Sequence, residues 1–169
     1  MNSNRAFICA ASLIISLFLI GCTADREQPA STQPENPAMD SGLITTVSPY
    51  TFEETGNRIR TTLEERDLLI PADLNHQKNA AGVDLELRPT RVIIFGNPNL
   101  GTPLMQCSQS VAIDLPQKIL IWEDESGTVQ VAFNDPEYLK QRHGAEGCDE
   151  AYENVAGALN NLMDAALAE

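Results

Sequence analysis

Residues 118–133 read KILIWEDESGTVQVAF, and this stretch decides the fold class. Two runs rich in β-branched and aromatic residues, 118–122 and 129–133, flank the turn residues Asp124-Glu125-Ser126-Gly127. A glycine in such a turn supplies the positive φ that a tight connection between antiparallel strands needs. The stretch therefore predicts an antiparallel β-hairpin.

Further strands and helices are predicted on both sides of this hairpin. Apolar, β-branched runs indicate strands at 44–47, 68–72 and 91–95. Capping residues and apolar residues at helical spacing indicate helices that begin after Thr51 and after Thr102, a short one from 136 to 144, and a C-terminal helix at 149–168. Gly56 lies on the apolar face of the first helix, where close approach to a sheet would explain it.

This order of elements is typical of an α+β protein. We expect a single domain with an antiparallel or mixed sheet of about five strands and helices packed on it, to which the C-terminal helix is added. The polar stretch after residue 72 gives no clear periodicity, and its structure is left open.

The amino terminus carries an export signal. Arg5 precedes an uncharged apolar run of 15 residues, Ala6–Ile20, which spans only about 22 Å as a helix and is short for a bilayer core of about 30 Å. The following Leu19-Ile20-Gly21-Cys22 resembles the bacterial lipobox, in which the chain is cut before the cysteine and that cysteine is acylated. Residues 1–21 are thus predicted to be a cleaved signal peptide, and Cys22 the lipid attachment site, which holds the protein on a membrane.

Residues 22–43 are predicted to form a lipidated, flexible tether, and residues 44–169 the folded domain. The tether is rich in Pro, Ser, Thr, Gln and Glu and has almost no apolar side chains to bury. Burial would therefore not offset the conformational entropy that is lost when the segment is ordered. Thr23, rather than Asp, follows Cys22; by resemblance to the sorting rule of enteric bacteria this favours the outer membrane, facing the periplasm. The expected location is therefore the cell envelope.

Composition excludes some functions. The 169 residues carry a formal charge of −13, and without residues 1–21, which contain Arg5 and no acid, the charge is −14. Nucleic acid needs clustered positive charge, and the sequence shows no such cluster. The cysteines and the two histidines, His76 and His143, lack zinc-ligand spacing, and no phosphate loop or catalytic motif is present. We therefore predict no catalytic residue, no metal and no cofactor.

Six sequence segments together resemble the domain-of-unknown-function family 302, over roughly residues 48–143. Their order and spacing carry the resemblance: Phe52-Glu53-Glu54-Thr55, Leu85 to Arg91, Phe95 to Gln106, Asp114-Leu115-Pro116, Trp122-Glu123-Asp124, and Asn134 to His143. The resemblance implies a small α+β domain with a TATA-binding-protein-like arrangement of sheet and helices. Some members are dimeric, which implies a weak homodimer. The family brings no assigned chemistry and hence no catalytic residue.

One polar cluster is a candidate ligand site. Its members lie near predicted strand ends and loop starts, where ligand-binding groups often converge: Glu86, Arg88, Arg91, Asn97, Glu123 and Tyr138. The alternative interpretation is a set of ion pairs that hold loops to the sheet.

The two cysteines that remain besides Cys22 and the removed Cys9 are predicted to form a disulfide, because the envelope is oxidising. This bond, Cys107–Cys148, would tie the C-terminal helix to the rest of the domain. Two buried thiols and a reactive redox pair are the alternatives.

These observations favour an envelope lipoprotein whose domain binds a small molecule or an envelope partner without catalysis. Two other hypotheses stay open: a thiol-redox or other enzyme that uses Cys107 and Cys148, and a structural or assembly component of the envelope.

Overall fold

The computed structural model describes residues 41–168. They form five strands, five α-helices and one 3₁₀ helix, in the order β1 Leu43–Val47, α1 Phe52–Glu65, β2 Leu69–Asn75, α2 His76–Ala81, β3 Thr90–Gly96, α3 Pro98–Cys107, the 3₁₀ helix Gln109–Ile113, β4 Gln117–Glu123, β5 Val129–Asn134, α4 Pro136–Arg142 and α5 Asp149–Leu167. The α+β class is confirmed. No helix in this part of the chain is long and apolar enough to cross a membrane.

The strands form one sheet in the order β1-β5-β4-β3-β2, and every neighbouring pair is antiparallel. Of the two predicted sheet types, the antiparallel one is therefore present. The hairpin at its centre pairs Ile119 with Phe133 and Glu123 with Val129, as the opening sequence stretch predicts. Thr51 caps α1 by accepting a hydrogen bond from the Glu54 backbone N–H, which is also as predicted.

Two elements differ from the sequence prediction. The helix expected after Thr102 begins five residues earlier, because the Asn97 side chain caps it and Pro98 occupies its first turn. It ends at Cys107, and a separate 3₁₀ helix follows. The polar stretch that gave no periodicity contains α2, none of whose residues is buried.

The core lies between one face of the sheet and the helices. Alternate residues of the central strands are buried there: Ile93 and Phe95 of β3, Ile119 and Ile121 of β4, Val131 and Phe133 of β5. Phe52, Ile59 and Leu63 of α1 and six residues of α5, including Val155, Leu159 and Leu162, complete this core. The prediction that Gly56 permits close approach is confirmed, since a Cβ there would collide with the Arg91 guanidinium from β3.

Both ends of α5 are bonded to distant parts of the chain. Cys148, just before the helix, forms a disulfide with Cys107 at the end of α3, with their Cα atoms 6.2 Å apart. At the other end, Arg58 of α1 donates to the backbone oxygens of Ala166 and Ala168 at 2.8 and 2.6 Å. A cation there also complements the negative end of the helix dipole.

Removal of the disulfide is expected to lower the free energy of unfolding by about 4 kcal/mol. The two cysteines are 41 residues apart, and closing a loop of that length restricts the unfolded chain by about this amount. Urea denaturation of the Cys107→Ala, Cys148→Ala double variant against the oxidised wild type measures the difference. The wild type in reducing agent should match the double variant, and a loss below about 1 kcal/mol would contradict the prediction.

Candidate functional site

A cavity of about 840 Å³ opens between the sheet and the helices at one end of the domain. We call it the apolar cavity. Its walls come from the start of β2, the end of β3, the start of β4, and the facing sides of α3 and α5. Most of its lining is apolar, and the main contributors are Leu69, Ile70, Phe95, Leu100, Leu104, Met105, Leu115, Val155, Leu159 and Leu162.

Two small residues belong to the lining of this space. They are Gly101 on α3 and Ala158 on α5, and a Cβ at Gly101 would lie 3.7 Å from Leu115 Cδ1. Leu69 and Met105, which are 63% and 36% exposed, lie at its rim and make it accessible from outside. The cavity is thus an open pocket with apolar walls rather than a sealed void.

The polar groups of the lining are few: Arg66, Asn97, Thr102 and Gln117. Two of them are engaged elsewhere, because Asn97 accepts from the Asn99 N–H at 2.9 Å and Arg66 donates to the backbone oxygen of Asn161 at 2.9 Å. Gln117 is different. It is only 9% exposed, and its Oε1 is buried without a hydrogen-bond partner among the described residues.

The structure does not bring the six predicted ligand residues together. Arg88 and Glu123 lie at one end of the sheet, where the Glu123 N–H donates to the Pro89 oxygen at 3.0 Å, and Glu86 lies in the preceding exposed loop. Asn97 follows the opposite end of β3 and lines the apolar cavity. Tyr138 is on α4, against Gly42 at the start of β1.

Arg91, on β3, is paired with Asp73 of β2, which also accepts from Arg60 of α1. Its Nε and Nη2 donate to the two carboxylate oxygens of Asp73 at 2.7 and 2.6 Å, and Arg60 adds a third bond at 3.0 Å. The hydrogen bond from Arg91 is the main reason why the pKa of Asp73 is below its ordinary value. For Arg91, this geometry corresponds to the alternative interpretation, in which ion pairs stabilise the fold. Ligand binding by the six residues stays a prediction.

Asp124, in the hairpin turn, is held as a carboxylate. Hydrogen bonds from Ser126, Gln130 and the Thr128 N–H lower its pKa to about 2. A group with this pKa is ionised at neutral pH and cannot serve as a general acid there.

A Ser-His-Asp arrangement, which the sequence did not reveal, joins the 3₁₀ helix to α4. His143 Nδ1 lies 2.9 Å from Ser110 Oγ, and His143 Nε2 lies 2.6 Å from Asp114 Oδ2. Ser108 Oγ also donates to the backbone oxygen of His143 at 2.9 Å. The ring is 6% exposed, and none of these residues lines the apolar cavity. We interpret the arrangement as a structural connection beside the disulfide. It joins residues 108–114 to His143, which follows Asp114 by 29 residues, so local sequence spacing gave no signal.

No group of three or more His, Cys, Asp or Glu side chains in residues 41–168 is placed to hold a metal ion. Cys107 and Cys148, the candidates for thiol chemistry, are bonded to each other and pack partly buried against the core. The apolar cavity, by contrast, has both room for a ligand and a mostly apolar lining.

Comparison with protein families gives one match, to the family described as "Domain of unknown function DUF302", over residues 44–162. The fold is similar to the crystal structure of an uncharacterized conserved DUF302 protein from Bacillus stearothermophilus, with a TM-score of 0.66, 16% sequence identity, and coverage of 75% of this chain and 98% of that chain. At this identity the likeness concerns the fold.

Similar curated proteins carry the name of an ion channel. The "Fluoride-specific ion channel FluC 1" of Brucella suis is 40% identical over 151 residues, which cover 83% of this chain and 59% of that protein. The protein of the same name from Brucella abortus is also 40% identical, with 56% of its length covered. The chain therefore spans little more than half the length of these relatives.

Replacement of Asp73 by Asn should destabilise the domain by about 1.5–3 kcal/mol at pH 7, because the Arg91 guanidinium, 12% exposed, then loses its charged partner. The pKa of Asp73 is lowered in the fold, so its stabilisation is present above the unfolded value of about 3.9 and is lost as the pH falls through the folded value. Urea denaturation at pH 7 and pH 2.5 should show a difference between wild type and variant that shrinks in acid. Asp164→Asn, on the exposed side of α5, is the matched control and should have no effect.

Proposed function

The chain belongs to the DUF302 family of domains of unknown function, and from this premise we propose that it is an envelope lipoprotein whose domain binds an apolar ligand in the apolar cavity without catalysis. The observation that carries the proposal is the cavity itself. Its volume of about 840 Å³ falls within the range of about 300–1,000 Å³ that is usual for small-molecule sites, and such sites are mostly apolar with a few placed polar groups.

The lipobox supports the envelope location. Cys22 and the rest of the predicted signal and tether, up to residue 40, lie outside the described residues. The described chain enters the sheet through β1, whose first residue, Leu43, pairs with Asn134. This is the same end of the sheet as Gly96 and Gln117, which line the apolar cavity. A tether from Cys22 therefore approaches the domain at the end that contains the cavity.

The curated relatives favour a role beside a membrane protein. The described residues of this chain contain no membrane-spanning helix, and the match leaves 41% of the Brucella suis protein uncovered. We propose that the channel activity in the name of these relatives belongs to the uncovered part. In those relatives, a domain of the present type would then be joined to a membrane protein on one chain. In the proposed lipoprotein, the lipid on Cys22 would instead hold the domain on the membrane.

The weak homodimer is part of the same proposal. The sheet face opposite α1, α3 and α5 carries a continuous row in register across all five strands, Leu74, Val92, Leu120, Ala132 and Thr45. Three of them, Leu74, Val92 and Leu120, are apolar and at least partly exposed, and a second copy could cover these three. Two domains tethered to one membrane gain effective concentration for such a contact.

Replacement of Cys22 by Ser should release the protein from the membrane fraction or leave it unprocessed, because the acyl attachment site is lost. Fractionation of the native host and mass spectrometry of the amino-terminal peptide measure this. Cys9→Ser, in the segment predicted to be removed, is the matched control and should stay in the membrane. An unmodified mature Cys22 in the wild type would contradict the proposed anchoring.

Filling the cavity should abolish ligand binding. We expect the Cys22→Ser chain to bind the neutral fluorescent probe N-phenyl-1-naphthylamine saturably, and Ala158→Phe to weaken this binding at least tenfold by occupying the space between α3 and α5. Ala165→Phe places the same side chain on an exposed position of α5 away from the cavity and should bind like the parent. Equal probe binding by all three chains would contradict the assignment of the cavity.

A further inference from the structure

Gln117 is a polar residue in a row that is otherwise apolar. It is the first residue of β4, and side chains alternate along a strand, so it lies on the same face as Ile119 and Ile121, toward the helices. Those two isoleucines are completely buried. An apolar residue at position 117 would continue the core without any polar group to satisfy.

The side-chain oxygen of Gln117 lacks the partner that comparable groups have. Buried amide oxygens are normally hydrogen-bonded, and leaving one unpaired costs about 1–3 kcal/mol. Gln117 Oε1 has no partner within residues 41–168, although the other amide of the lining, Asn97, is bonded to backbone. The hydroxyl of Tyr152 is also buried without a partner, but it does not line the apolar cavity. Gln117 therefore combines unused hydrogen-bonding capacity with a place at the cavity.

On the basis of the proposed function, we propose that the ligand is a neutral amphiphile: an aliphatic chain fills the apolar cavity, and one hydroxyl or amide group hydrogen-bonds the Gln117 carboxamide. Gln117 Oε1 is buried, but the terminal torsion of a glutamine is broad, so rotation of the amide lets a ligand group meet either the oxygen or the NH₂. Charged groups do not suit this position. A carboxylate could accept only from the NH₂, and desolvating it in an apolar surrounding costs far more than desolvating a hydroxyl.

Arg66 is the one cation of the described cavity lining, and it defines the competing arrangement. It follows α1, is exposed, and already donates to the Asn161 oxygen of α5. A fatty acid held at the rim by this guanidinium would leave Gln117 unsatisfied. The two arrangements therefore predict different effects of Gln117 and Arg66 variants.

The test uses matched ligands on the Cys22→Ser chain. Displacement of N-phenyl-1-naphthylamine is measured with 1-nonanol, n-decane and decanoate, against the parent and Gln117→Met, which keeps the length of the side chain and removes its hydrogen bonds. We expect Gln117→Met to weaken nonanol about tenfold and to leave decane unchanged, since one hydrogen bond to the amide is lost.

Equal effects of Gln117→Met on nonanol and decane would overturn the inference while the proposed function stands, because apolar ligands still bind. Stronger binding of decanoate than of nonanol, abolished by Arg66→Met, would overturn it in favour of the fatty acid. Failure of the parent to bind the probe or any of the three ligands would refute the proposed function itself.

A measurement on the parent alone covers the case in which Gln117→Met does not fold. The side-chain NH₂ resonances of Gln117 in an ¹⁵N-correlated NMR spectrum should shift on addition of nonanol and change little with decane. Equal shifts with the two ligands would overturn the inference.

Discussion

The position of α5 on the sheet is the constraint on which the rest of the structure depends. Its buried face supplies about a third of the core side chains, and the same face forms one wall of the apolar cavity. Helix α5 is the last element of the described residues, and both of its ends are bonded to other elements. Its start is linked covalently to α3 through Cys107, and its end is bonded to Arg58 of α1. Because α3 and α5 form two of the cavity walls, the disulfide also links these walls at one end.

Ligand binding and stability are coupled through this arrangement. A ligand that fills the space between α3 and α5 binds the folded state and not the unfolded chain, so it stabilises the domain by mass action. The same space is a defect in packing when empty, since its lining side chains have no neighbours on one side. Gly101 and Ala158 belong to that lining, and they contribute little side-chain volume toward filling the space. Such an arrangement is understandable for a binding domain, in which packing is completed by the ligand.

Much of the fold was predictable from the sequence, because burial of one face of a helix or strand imposes a regular spacing on its apolar residues. The C-terminal helix predicted at 149–168 is present as α5, its six buried residues from Tyr152 to Ala166 recur at helical spacing, and the central hairpin has the predicted pairing. The predicted start of α3 was wrong because the sequence contains two possible caps followed by proline. The helix begins at Asn97-Pro98 rather than at Thr102-Pro103. Helix α2 was missed because a helix that buries nothing shows no apolar period.

The candidate site was much less predictable. Sequence places Arg88 and Asn97 at strand ends, but they flank opposite ends of β3 and are separated by its full length. Leucines that line a cavity also have the same pattern as leucines that fill a core, so the cavity gave no separate signal. Gln117 was the signal available, since a polar residue on the buried face of a central strand needs a reason. That reason becomes visible only in the structure, where the surrounding side chains leave Gln117 Oε1 without a hydrogen-bond partner.

The location of the cavity indicates the membrane as the source of the proposed ligand. The proposed tether of residues 22–43 has an expected span of only about 25 Å and joins the domain at the cavity end of the sheet. The chain has a formal charge of −13, which anionic surfaces repel, so its approach to lipid would depend on the proposed acyl anchor rather than on electrostatic attraction. A neutral amphiphile would partition into that membrane and could pass to the cavity over a short path. An apolar pocket with one hydrogen-bonding group suits such a molecule, because the chain is transferred between two apolar environments and the polar group exchanges one neutral partner for another.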